Sequence, residues 1–195
     1  INLFDEIEKI ETALDSAGYG FIDADDFLNI VIEFNYCFYG DYIVKNKKSY
    51  AFLCAQLVEE YFPEGIKYED EDMKRLRNLA KQRFGDIDLP DNDRSLWTRL
   101  CTYLVQCGRS TYISPNKIFV DKELMEEIKS YVDKSPLSEI FFKEIFAEFE
   151  GILTMTTNID NASFLHGVFV RFYPHEYVYS RDSLSKRDSE ETKSL

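Results

Sequence analysis

Residues 92–120 read NDRSLWTRLCTYLVQCGRSTYISPNKIFV, and they indicate a helix that is followed directly by a short β-hairpin. When Arg94–Gln106 are placed at steps of about 100° per residue, the apolar side chains fill one arc and the polar side chains fill the other. After Gly108, two β-rich runs, Thr111-Tyr-Ile and Ile118-Phe-Val, flank a turn at Ser114-Pro-Asn-Lys. The stretch predicts a helix with one packed face and one free face, and then a hairpin.

The whole chain repeats this arrangement. Residues 49–120, which we call the middle unit, and residues 121–186, the last unit, both show the pattern of helix, short strand, helix, helix and hairpin. Both also place a serine before an apolar pair, in Ser95-Leu-Trp and Ser163-Phe-Leu. Residues 1–48, the front segment, predict two helices and a possible small hairpin, which form either a partial third copy or a helical N-terminal unit. The polar residues 187–195 predict a disordered tail. We expect a mainly α fold with short β-hairpins, organised as tandem repeats.

The order helix, strand, helix, helix, hairpin resembles the winged-helix superfamily of helix-turn-helix proteins. Within that superfamily, the run from Gly108 to Val120 is distantly similar to the wing of the N-terminal domain of the bacterial RNA polymerase delta subunit. The resemblance covers about 70 residues in each copy and implies a role in transcription for the relatives. It also implies that residues 94–106 are a recognition helix and that the following hairpin is a wing.

Composition restricts the location and the partners of the chain. With 195 residues, of which 45% are hydrophobic, it can bury a sizeable core. It begins at Ile1 without an export signal, so we expect a fragment or processed chain, and no apolar run is long enough to cross a membrane. The spacing of Cys37, Cys54, Cys101 and Cys107 matches no metal or redox motif and predicts buried, reduced thiols in a cytoplasmic protein.

Charge is distributed unevenly along the sequence. The net charge of −13 opposes binding to a polyanion, because phosphate contacts need Lys and Arg. Residues 1–73 carry 5 basic and 17 acidic side chains, residues 74–117 carry 9 and 4, and residues 118–195 carry 9 and 15. A basic centre therefore lies between two acidic flanks, which makes nucleic-acid binding by the middle unit a reasonable hypothesis.

The sequence contains few candidates for catalysis or metal binding. Residues 15–26 have the spacing of a calcium-binding loop, but Ala17 and Tyr19 occupy positions that need oxygen ligands, so we predict no calcium site. His166 and His175 are the only imidazoles, and no nucleotide-binding or zinc-protease motif is present. We expect no enzyme, no catalytic residue, no metal and no cofactor.

The first functional hypothesis is contact with double-stranded DNA through the middle unit. In a winged-helix geometry, the exposed arc of the middle unit's third helix would contact bases or phosphates. The hairpin would lie along the DNA backbone, and the helix before the third would contact phosphates. The alternative is that these charges only keep an amphipathic surface soluble. The predicted DNA contacts are Arg75, Arg77, Lys81, Arg94, Ser95, Thr98, Arg99, Thr102, Arg109 and Lys117.

The second hypothesis is a protein-interaction module, in which the acidic flanks engage a basic protein partner. The third helix of the last unit has a predicted exposed face with Gly167 and few basic residues, which suits a protein better than phosphate. The predicted protein-interaction residues are Ser163, His166, Val170 and Arg171. The two roles are compatible, and the sequence leaves the oligomeric state open.

Overall fold

The structure is a computed structural model that describes residues 3–40 and 42–187. The predicted tail at residues 187–195 lies outside this range except for Arg187. Helices and short antiparallel strands make up the described chain, so the expectation of a mainly α fold with hairpins is confirmed. Asp23, Ser49, Asn92, Asp121 and Asn161 each cap the start of a helix with a side-chain oxygen, which explains where those helices begin.

The front segment contains two helices and one hairpin. These are α1 (Leu3–Ser16), α2 (Ala24–Glu33), β1 (Tyr36–Tyr39) and β2 (Tyr42–Lys45). Among the side chains described between residues 7 and 48, only Ile43 is buried. The segment therefore contributes little to the cores of the chain.

The middle and last units have the same order of elements. The middle unit contains α3 (Tyr50–Tyr61), β3 (Ile66–Lys67), α4 (Asp70–Phe84), α5 (Asp93–Leu100), β4 (Val105–Gly108) and β5 (Thr111–Ile113). The last unit contains α6 (Lys122–Lys134), β6 (Glu139–Phe141), α7 (Phe142–Thr156), α8 (Ala162–Phe172), β7 (Tyr177–Tyr179) and β8 (Ser183–Lys186). Their sheets also share a strand order, β3-β5-β4 and β6-β8-β7, in which the first strand pairs with the last.

The hairpin of the middle unit lies one strand earlier in the chain than predicted. Helix α5 ends at Leu100, and Val105–Gly108 forms a strand that pairs with Thr111–Ile113. The chain turns at Arg109 and Ser110, where Ser110 has a φ of 59°. Thr102 therefore lies in a turn after the helix, and Lys117 lies in a 3₁₀ turn (Pro115–Lys117) instead of the hairpin. Similarly, α7 continues through Gly151 to Thr156, although a helix end was predicted at Gly151.

The sheet of the middle unit packs on both of its faces. Ile66 and Tyr112 pair across β3 and β5 and pack against the helices of the middle unit. Val105 and Ile113 pair across β4 and β5 and belong to the hydrophobic core of the last unit. Alternate residues of a strand point to opposite faces, so one sheet serves two cores. The two units are therefore joined by apolar packing.

Helix α8 lies directly against β4. A Cβ added at Gly167 would lie 2.1 Å from the carbonyl oxygen of Gln106, so only glycine permits this approach. The side chain of Asn161 donates a hydrogen bond of 2.9 Å to the carbonyl oxygen of Cys107. Further along, Asn158 donates to the carbonyl oxygen of Lys117 and accepts from the backbone N–H of Phe119, both at 2.8 Å. These bonds fix how the last unit sits on the middle unit.

Candidate functional site

The polar face of α5 is exposed. Leu96 and Leu100 are buried in the core of the middle unit, whereas Arg94, Ser95, Thr98 and Arg99 face solvent. Within the described chain, the guanidinium groups of Arg94 and Arg99 have no hydrogen-bond or ion-pair partner. The structure therefore brings four of the predicted contact residues together on one helix. Thr102 is also exposed but lies beyond the helix end, where its hydroxyl donates to the carbonyl oxygen of Arg99.

The basic residues of α4 do not form one surface. Arg77 donates to the carboxylate of Asp93 and to the carbonyl oxygen of Pro90, each at 2.7 Å, and so holds the loop between α4 and α5. Arg75 points the other way, because residues two apart on a helix are about 200° apart. It donates to the carbonyl oxygen of Tyr61 at 3.0 Å. Lys81 is exposed, and it lies one turn from Arg77 on the same side of α4. Arg75 and Arg77 thus make internal contacts.

The face of α8 that was expected to be free is largely covered. Gly167 is buried against β4, and both ring nitrogens of His166 are buried without a hydrogen-bond partner in the part of the chain that is described. Gly167 is therefore not exposed as expected, and His166 is half-buried, because α8 packs against β4 on this side of the helix. Val170 and Arg171 are exposed about one turn further along the same side of α8, and Ser163 lies at the edge of a groove.

The surroundings of His166 predict a stability that depends on pH. Its ring lies 4.7 Å from the ring of Phe142 and 6.0 Å from that of Tyr179. Burial holds the pKa of His166 below its ordinary value of 6.5, and the charge of Asp182 partly opposes this effect. The unfolded chain therefore binds a proton at a pH where the folded chain does not.

We expect the free energy of unfolding to fall as the pH is lowered from about 7.5 to about 5.5, because protonation of His166 favours the unfolded state. His166→Leu removes the titrating ring, so its free energy of unfolding should depend less on pH over this range. Urea denaturation of both proteins at the two pH values measures the difference. An equal pH dependence in the two proteins would contradict the assignment.

A groove of about 730 Å³ lies between the middle and last units. Its walls come from both hairpin turns, with Arg109 and Ser110 on one side and Arg181 and Asp182 on the other. The groove is also lined by Tyr68, Trp97, Gln106, Tyr112 and Ser163. Arg109 and Ser163 were predicted from the sequence as contact residues, but the groove was not. The signal that could have indicated it is an arginine in each hairpin turn, at corresponding places in the two units.

The aromatic side of the groove is a chain of three rings. The centroid of the Trp97 ring lies 5.3 Å from that of Tyr68 and 5.3 Å from that of Tyr112. Tyr68 is 46% exposed, whereas Trp97 and Tyr112 are half-buried. Trp97 follows Arg94 by three residues and so lies about 60° from it around α5, which brings the groove next to the polar face of that helix. The Tyr68 and Trp97 rings are inclined by 38° and those of Trp97 and Tyr112 by 85°, so Tyr68 alone offers an open ring face to solvent.

The cysteines and acidic residues give no indication of a reactive centre. Burial raises the pKa of Cys54 and of Cys101 to about 12 and that of Cys107 to about 11, so their thiolates are disfavoured. In residues 3–40 and 42–187, no three His, Cys, Asp or Glu side chains lie close enough together to hold a metal ion. Over the same ranges, no helix has the length and apolar character needed to cross a membrane.

Comparison with protein-family models, with curated proteins and with solved structures finds no match to this chain.

Proposed function

We propose that this chain is a non-enzymatic nucleic-acid-binding module, built from tandem winged-helix units, that contacts double-stranded DNA through α5 of the middle unit. The winged-helix interpretation is supported by the shared order of elements and by the strand orders β3-β5-β4 and β6-β8-β7. In such units the third helix enters the major groove and the hairpin follows the backbone.

The observation that carries the proposal is the contrast between the two third helices. Helix α5 exposes Arg94 and Arg99 together with hydroxyl side chains, and no described element covers that face. The equivalent α8 packs against β4 and has only one basic residue, Arg171, which is exposed in its last turn. We therefore expect α5, together with Arg109 in the adjacent hairpin turn, to contact the DNA.

The acidic surroundings make this a weak interaction. Asp86, Asp88 and Asp91 are exposed in the loop before α5, and the whole chain carries a net charge of −13. Arg75 and Arg77 are left out of the proposed contact, because their guanidinium groups already donate hydrogen bonds within the chain. We expect binding at low ionic strength and a steep loss as salt is added.

The test is fluorescence anisotropy with a labelled duplex, comparing Arg94→Ala, Arg99→Ala and Arg109→Ala with the wild type. Because Arg94, Arg99 and Arg109 are exposed, we expect each substitution to leave the chain folded. Loss of a phosphate contact should weaken binding to all sequences and reduce the salt slope by about one, whereas loss of a base contact should cost about 1–3 kcal/mol at its own site.

Lys143→Ala is the matched control, because it removes the same charge from an exposed position on α7 of the last unit. It should change affinity much less than the three arginine variants. The proposal is overturned if the wild type binds no duplex at low salt, or if Lys143→Ala weakens binding as much as Arg99→Ala.

The second candidate is a protein-interaction module. Exposed apolar side chains in the last unit and at the end of the middle unit favour this function: Met155 is 85% exposed and Phe119 is 66% exposed. The acidic flanks would suit a basic partner. If no nucleic acid binds while a protein partner can be crosslinked to a probe at Val170, which is exposed on α8, the scaffold function takes the place of DNA binding.

A further inference from the structure

The groove between the middle and last units combines the two kinds of group that hold single strands. Proteins bind single-stranded nucleic acid by stacking bases on aromatic rings and by following the backbone with positive charge. Here Tyr68 offers an open ring, held by its contact with Trp97, and the two hairpin turns offer Arg109 and Arg181.

The two arginines are available to a ligand. Both are exposed, and neither side chain has a hydrogen-bond or ion-pair partner among residues 3–40 and 42–187. They come from turns about 70 residues apart in the sequence but lie on the same groove, because α8 packs against β4 and places the β7–β8 turn near the β4–β5 turn. Arginine pairs with phosphate through a planar fork of donors, so each can hold one backbone phosphate.

The other walls favour a nucleotide over a simple anion. Asp182 would repel a phosphate but accepts hydrogen bonds, as carboxylates do from the amino group of cytosine. Gln106, Ser110 and Ser163 add further polar groups. The volume of about 730 Å³ lies in the range of sites that enclose one small ligand, about 300–1,000 Å³, so a few nucleotides of one strand fit better than a duplex.

We propose that this groove binds a short segment of single-stranded nucleic acid, with a base stacked on Tyr68 and adjacent phosphates on Arg109 and Arg181. This rests on the nucleic-acid function proposed above, and it adds a second binding surface to that of α5. The bound nucleic-acid segment would cross the boundary between the middle and last units, so the relative position of the two units would determine the affinity of the groove for it.

The experiment uses a labelled single strand of about 12 nucleotides and its duplex, each titrated with the whole chain at low salt. Tyr68→Ala and Arg181→Ala should each lower the affinity for the single strand about tenfold and change duplex affinity less than twofold, because stacking contributes about 1–3 kcal/mol per base. Tyr68→Phe keeps the ring and should bind the single strand like the wild type.

The outcomes separate this proposal from the function of α5. If Tyr68→Ala and Arg181→Ala leave single-strand affinity unchanged while Arg99→Ala weakens duplex binding, the groove proposal fails and the α5 proposal stands. If the groove variants weaken single strand and duplex equally, the groove belongs to the duplex surface and the single-strand assignment is wrong. If the wild type binds neither probe, both proposals fail. Thermal unfolding of each variant verifies that Tyr68→Ala and Arg181→Ala remain folded.

Discussion

Gly167→Ala is expected to destabilise the chain by about 1–3 kcal/mol, the usual cost of overpacking a closely packed site. The new Cβ would lie 2.1 Å from the carbonyl oxygen of Gln106 and 2.9 Å from two other atoms of its backbone. No side-chain rotation relieves a clash between Cβ and backbone, so α8 has to move away from β4. In an ordinary helix the same change would stabilise by about 1 kcal/mol.

Gly151→Ala is the matched control, because Gly151 also lies within a helix, α7, and a Cβ there would meet nothing within 4 Å. It should raise the free energy of unfolding by about 0.5–1 kcal/mol. Urea denaturation of both variants tests the opposite signs, and hydrogen exchange should show faster exchange in α8 and β4 of Gly167→Ala alone. If Gly167→Ala is as stable as the wild type, α8 does not approach β4 as closely as described.

Phe142→Ala has the largest expected effect, a loss of about 3–5 kcal/mol of stability. Phe142 is only 1% exposed, at the start of α7, and its ring lies 5.6 Å from that of Phe169 in the core of the last unit. Its backbone N–H donates to the carbonyl oxygen of Asp182, so the ring is held where β8 meets α7. Truncation leaves a cavity that the surrounding rings fill only in part.

The neighbouring Phe141 provides the control, because it is 43% exposed in β6. Phe141→Ala should cost about 1 kcal/mol or less, since much of its surface already contacts water. Denaturant unfolding measures both variants, with the same change of residue one position apart. Equal losses of stability in the two variants would contradict the description of Phe142 as buried and Phe141 as exposed.

The packing of α8 against β4 links these stability effects to the proposed function. Gly167, Asn161 and the apolar pair Val105 and Ile113 hold the two units together, and the groove between Arg109 and Arg181 exists only while they do. Helix α5 lies outside this contact. Gly167→Ala should therefore impair single-strand binding in the groove more than duplex binding by α5, provided that the variant remains folded.

The end of α5 shows why a periodic pattern can mislead. Leu96, Leu100 and Leu104 have helical spacing and all belong to the core of the middle unit, so the apolar arc predicted a helix as far as Gln106. Val105, however, belongs to the core of the last unit. A strand at this position is stabilised by β5 and by α8, and α8 lies more than 50 residues later in the sequence. No local pattern could report that partner.

Local chemistry in the sequence determined the order of helices and strands and many of the helix starts. Asp23, Ser49 and Asn161 cap helices through bonds to backbone groups three residues away, and helical spacing of apolar residues is likewise a short-range property. The capping bonds are complete within one turn of the chain, so the sequence alone reports them, whereas helical spacing can be overridden by distant packing, as at the end of α5.

Only the tertiary structure decided which faces remain free. Glycine has no side chain to report its surroundings, and Gly167 therefore gave no sign that α8 would pack on β4. The groove likewise joins Tyr68, Arg109 and Arg181, which come from three separate parts of the chain. Burial and convergence depend on contacts between distant segments, and the free energy of those contacts is set by the packing of whole units.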